Sequence, residues 1–141
     1  MGLALAIGLT PVSAAQALAP AQVPLSTMSF DGEKHGVVKT TRKIWVPKGG
    51  KVGVYGRNTG FATLYISNLD FRVYQGSTDI TNQFWRRVAG DYFLREGEVI
   101  NKRLVNSTGA GRYYYIWARC DTHNPTRFSD CDGVFTVSSW K

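Results

Sequence analysis

The stretch Arg112-Tyr113-Tyr114-Tyr115-Ile116-Trp117-Ala118-Arg119-Cys120 decides what fold the chain can adopt. Its large apolar groups occupy both parities, with Tyr113, Tyr115 and Trp117 on one and Tyr114 and Ile116 on the other. Aromatic and β-branched side chains suit the pleated surface of a strand. Large apolar groups on both parities place this strand centrally, covered at least in part on both faces, with Trp117 in the core. Its phenol and indole groups then need hydrogen-bond partners or a wet edge.

Upstream, Asn106-Ser107-Thr108-Gly109-Ala110-Gly111 carries turn chemistry that closes a hairpin; downstream, Cys120 and Cys131 frame a polar segment ahead of the Gly133–Trp140 run. Further out, short β-branched and aromatic runs recur near 42–47, 51–56, 62–66, 69–75, 91–95, 98–105, 112–120 and 133–140, with Gly, Asn, Asp and Ser clusters between them. No apolar period of 3.6 residues is sustained. The expectation is an all-β chain folded as a two-layer antiparallel β-sandwich, immunoglobulin-like or jelly-roll-like, with a small β-barrel as second choice. Pro47-Lys48-Gly49-Gly50 and Glu96-Gly97 are expected to be tight turns, the first joining a basic hairpin. Leu64 and Ile66 share one parity while Leu69, Phe71 and Val73 share the other, which predicts a bulge or turn at Ser67-Asn68. One short helix is expected over 81–89, with Asp79 or Thr81 as N-cap and Gly90 as its stop.

The chain has 141 residues, 43% of them hydrophobic and 13% aromatic, enough apolar side chain to build a core and to exclude disorder over most of its length. No charged residue precedes Asp31. The run Met1–Leu9, the breaker Pro11 and the small residues of 12–19 have the form of a signal peptide over 1–21, cleaved between 17 and 22, although no basic residue precedes the apolar run. Pro11 and the polar interruptions leave this segment short of the ~20 apolar residues a transmembrane helix requires. Residues 22–36 then read as a flexible lead-in and 37–141 as a single β-sandwich domain.

Seventeen Lys and Arg against ten Asp and Glu give a formal charge of +7. Between 34 and 69 there is no acid, and Lys39, Arg42, Lys43, Lys48, Lys51 and Arg57 accumulate there, which suits a polyanionic surface or polysaccharide. No nucleic-acid-binding motif is present. Trp45, Trp85, Trp117 and Trp140 supply aromatic faces, and two of them in plane would make a sugar platform. Cys120 and Cys131 form an even pair expected to be a disulfide; the loop inside it, with His123 and Arg127, is a candidate recognition loop for a protein partner. Their spacing does not match a zinc site, and Asp121, Asp130 and Asp132 lack calcium-loop spacing, so neither metal nor cofactor is expected. His123 with Glu96 or Glu98 and Arg119 supplies the residue types of a nuclease, but no catalytic motif assembles them. Asn106-Ser107-Thr108 also forms a glycosylation sequon.

These features predict a small secreted, extracellular or periplasmic, basic binding module. The alternatives are a secreted hydrolase using His123 and a cationic antimicrobial or toxin-like effector.

Overall fold

The computed structural model describes residues 24–60, 67–85, 92–122 and 130–141; the expected signal segment, the 62–66 strand, His123 and Arg127 lie outside them. In chain order the strands are β1 (Leu25–Lys34), β2 (Val38–Thr40), β3 (Ile44–Val46), β4 (Lys51–Asn58), β5 (Ser67–Gln75), β6 (Thr78–Asp79), β7 (Phe93–Leu94), β8 (Val99–Val105), β9 (Arg112–Thr122) and β10 (Asp130–Trp140). A single helical turn, α1 (Thr81–Phe84), lies between β6 and β7.

All pairings are antiparallel. One sheet has the order β1-β10-β4-β8; the other runs β2-β9-β5-β6, with β3 also on β9 and β7 also on β5. β2 faces Trp117–Arg119 and β3 faces Arg112–Tyr114, so the two are halves of one interrupted strand along the same edge of β9. Thr41 repairs the gap. Its N–H donates to the Ile116 carbonyl (2.9 Å), and its Oγ1 accepts from the Ile116 N–H (2.9 Å). β6 and β7 likewise share the far edge of β5. Taking each interrupted pair as one strand leaves eight, in the order 1-8-3-6 facing 2-7-4-5, which is jelly-roll connectivity in an open sandwich rather than a barrel.

The core follows from alternation. β9 buries Tyr114, Ile116, Ala118 and Cys120; β10 buries Cys131, Phe135 and Val137; β4 contributes Val52 and Val54; and β5 contributes Leu69, Phe71 and Val73. Each such fully buried aliphatic or aromatic side chain is worth about 1.5–3 kcal/mol. Phe71 and Phe135 meet across the sheets with ring centroids 5.4 Å apart. Gly56 makes room for that contact, since a Cβ there would lie 2.7 Å from the Phe135 ring. The Cys120–Cys131 disulfide is present, with both residues fully buried, and it ties β9 of one sheet to β10 of the other through the core.

Buried Asn58 is a second tie between the sheets. Its Nδ2 donates to the carbonyls of Ser67 (3.1 Å) and Leu94 (3.0 Å), and its Oδ1 accepts from Gly60 N–H (3.0 Å).

Five sequence expectations are corrected. Most of the segment read as a flexible lead-in is β1, which alternates Ser26, Met28 and Phe30 inward with Leu25, Thr27 and Ser29 outward and pairs along β10. A bulge at Asp31-Gly32 interrupts that pairing; Gly32 has φ +60°, and its N–H donates to Asp132 Oδ1 (2.9 Å). Pro47–Gly50 does form a turn, closed by Gly50 N–H to Pro47 C=O (2.9 Å) with Gly49 at φ +77°, but it carries the chain from one sheet to the other, so the basic hairpin does not exist. Ser67 and Asn68 open β5 without a break, both buried and paired with Thr122 and Asp121. The helix is one turn, because Trp85 is already extended (φ −143°, ψ 133°); residues 86–89 of the expected helix lie outside the described residues. Finally, β9 buries only its even parity, so Trp117 faces outward and is half-buried.

Candidate functional site

The acid-free basic segment is distributed over three surfaces. Lys39 lies at the open edge between the sheets, bonded to Glu33 Oε1 (2.6 Å) and the Ser29 carbonyl (2.7 Å), with its ammonium 5.6 Å from the Phe30 ring. These contacts make it a structural closure. Arg42, Lys43 and Trp45 belong to the interrupted β2–β3 strand and its gap, and Lys48 stands exposed in the turn leading to β4. Lys51 and Arg57 are exposed on the outer face of the β1-β10-β4-β8 sheet.

The outer face of the β9 sheet is aromatic. Trp45 and Tyr113, each about half exposed, meet edge to face at 4.9 Å between centroids. Tyr74 and Tyr115 stack at 5.0 Å, and the Lys43 ammonium lies 5.6 Å from the Tyr115 ring. The stack occupies ring faces that a flat sugar platform would need. Arg119 donates to Asp70 Oδ2 (2.8 Å), which raises the guanidinium's pKa above its ordinary value through the hydrogen bond and the carboxylate's charge. Arg72 Nε lies 3.6 Å from Asp79 Oδ2. These two pairs leave little net charge along the β5–β9 part of that face.

The opposite face is different. Alternation puts Lys51, Gly53, Tyr55 and Arg57 of β4 outward, and register sets beside them Val105, Arg103, Asn101 and Val99 of β8 and Trp140, Ser138, Thr136 and Val134 of β10. None of these positions is acidic. Lys51, Arg57 and Arg103 have no carboxylate partner among the described residues. Three unopposed cations over a low-dielectric sandwich concentrate positive potential. At the centre, Gly53 floors a depression of about 230 Å³ between Trp140, Arg103, Tyr55, Asn101 and Leu25. The Arg103 guanidinium lies over the Trp140 ring, 3.6 Å from its centroid, and Trp140 Nε1 donates to Ser138 Oγ (2.8 Å).

Sequence reasoning had named Lys51, Arg57 and Trp140 but missed Arg103, Asn101 and the depression. Period-two alternation could have shown that Lys51, Gly53, Tyr55 and Arg57 share a face. The register that brings Arg103 and Ser138 to Gly53 joins residues about 50 and 85 positions away, which no local pattern encodes.

Of the residues named for a nuclease, His123 lies outside the described residues, and the two acids make hydrogen bonds within the fold. Glu96 Oε1 accepts from Ser67 N–H (2.9 Å) and faces its hydroxyl (3.3 Å), and Glu98 Oε1 accepts from Arg95 N–H (2.7 Å). His35 Nδ1 accepts from Thr122 N–H (3.1 Å). The sequon asparagine, Asn106, is buried with its Nδ2 donating to the carbonyls of Val46 (3.2 Å) and Ala110 (3.0 Å), so the folded chain does not present it. No described helix is long and apolar enough to cross a membrane. Comparison of the chain with protein-family models, with curated proteins and with solved structures finds no match.

Proposed function

We propose that the chain is an exported binding module that holds an acidic polysaccharide, outside the cell or in the periplasm, on the outer face of the β1-β10-β4-β8 sheet. The observation that carries this reading is the acid-free grid that holds Lys51, Arg57 and Arg103 on one face, with Arg103 lining a depression edged by Trp140 and Tyr55. Cations supply long-range attraction and on-rate, while aromatic edges and neutral polar groups at the same place suit the mixed C–H and hydroxyl surface of a sugar. Export is supported by the apolar amino-terminal run with its small-residue stretch and by the buried disulfide, a bond that persists in oxidising compartments. No assembled acid, base and nucleophile argues for catalysis among the described residues.

Native gel electrophoresis through a matrix containing a polyuronate tests the assignment. Retardation is expected at low salt, weakened at high salt, and lost in the Lys51→Ala/Arg57→Ala/Arg103→Ala variant, with a neutral glucan giving none. Unchanged retardation in that variant, or equal retention by single-stranded DNA, overturns the reading.

A further inference from the structure

Resting on that reading, we infer that the depression over Gly53 is a subsite for one carboxylate-bearing pyranose unit of the polymer, with its carboxylate on Arg103. Gly53 sets the shape of its wall: a Cβ there would lie 2.5 Å from Ser138 Oγ and 2.9 Å from Trp140 Nε1, so only glycine lets the serine and the indole close down beside the depression, and a larger residue would displace the indole. The volume of about 230 Å³ is below the ~300 Å³ at which drug-sized pockets begin, a size that suits a single sugar ring.

Arg103 has one face of its guanidinium against Trp140, and this stacking fixes the plane of the fork while leaving its edge N–H groups for a ligand. No carboxylate among the described residues takes them. A planar two-oxygen acceptor matches that fork bidentately. The Trp140-to-Ser138 hydrogen bond holds the indole in place and leaves the Ser138 hydroxyl hydrogen to donate elsewhere. Asn101 is exposed on the opposite side with an amide that both donates and accepts, as vicinal sugar hydroxyls require. Leu25, 55% exposed, provides an apolar rim for the C–H face of the ring. A neutral sugar would leave the Arg103 fork unmatched. A phosphate monoester, carrying nearly two charges, would meet one guanidinium in the depression.

The test is a titration of the ¹⁵N-labelled, oxidised chain with D-glucuronate, D-glucose and D-glucose 6-sulfate, following the Trp140 indole N–H and the Gly53 and Arg103 amides. Glucuronate is expected to shift these resonances saturably and to bind about tenfold more tightly than either other sugar. Arg103→Ala should weaken glucuronate about tenfold, and Arg103→Lys should weaken it less because the charge remains without the fork. Lys51→Ala/Arg57→Ala should reduce retention by the polyuronate gel, since both side chains belong to the wider basic face that draws the polymer in. No movement of the Trp140 indole at tens of millimolar glucuronate, equal binding of glucose or of the sulfate, or an Arg103→Ala variant that binds glucuronate normally would each overturn the subsite. If the polyuronate retards the chain but glucuronate fails at Gly53, this inference alone is lost; if the polyuronate does not retard it, the reading of the whole face is lost.

Discussion

Asn58 offers the most direct test of what joins the two sheets. It sits at the end of β4 with no solvent exposure, and its amide reaches two carbonyls of the other sheet while accepting a third hydrogen bond from Gly60. In Asn58→Ala, the carbonyls of Ser67 and Leu94 each lose a donor, Gly60 N–H loses its acceptor, and a small void remains. A buried polar group left unmatched costs about 1–3 kcal/mol, but carbonyls retain a second lone pair, so the three together should cost about 3–4 kcal/mol. Against the roughly 5–15 kcal/mol that stabilises a typical domain, this is a large fraction. Asn58→Asp separates the causes: it keeps the volume and the acceptor for Gly60, yet it turns oxygen lone pairs toward two carbonyl oxygens. If the amide donors matter, this variant should be at least as unstable as the alanine variant; if only volume matters, it should recover most of the loss. Urea unfolding followed by tryptophan fluorescence, with the disulfide intact, gives the comparison, and the denaturant slope should stay constant. An Asn58→Asp variant within about 1 kcal/mol of the parent would refute the hydrogen-bond account.

Removing the intersheet disulfide in Cys120→Ala/Cys131→Ala should cost about 3 kcal/mol, by the entropy of a short closed loop, and lower the urea midpoint accordingly; an unchanged midpoint would show that core packing alone holds β9 to β10. Thr41→Val removes the acceptor that satisfies Ile116 N–H in the gap between β2 and β3, so hydrogen exchange at Ile116 should accelerate and stability should fall by about 1–3 kcal/mol, whereas unchanged exchange would argue against the repair. Lys39→Met should cost no more than about 1 kcal/mol, because the pair with Glu33 is partly solvated, and should leave polyuronate retention intact; a loss of retention comparable to that of the Arg103→Ala variant would mean that Lys39 belongs to the binding face after all.

Local pattern made much of this architecture legible. The aromatic run of β9, the alternation of β4, β5 and β10, the turn residues and the even pair of cysteines all point to an antiparallel sandwich stapled by one disulfide, because strand period and turn chemistry act over a few residues. Even there, proline and serine near the amino end concealed β1, whose inward Ser26, Met28 and Phe30 gain their partners only from β10, more than 100 positions away.

What the sequence by itself determined is which side chains share a face and that 34–69 carries only positive charge. The tertiary structure decided which face is covered and what lies beside what. Alternation is symmetric with respect to the two sides of a strand, so only the packing of the second sheet makes Tyr114 core and Tyr115 surface. The turn at Pro47–Gly50 crosses between sheets, which separates Lys43 from Lys51 despite their closeness in the chain. Register then brings Arg103 and Ser138 to Gly53, turning scattered basicity into a patch of β4, β8 and β10 positions free of acids, because cross-strand neighbours are set by long-range hydrogen-bond pairing and not by proximity along the chain.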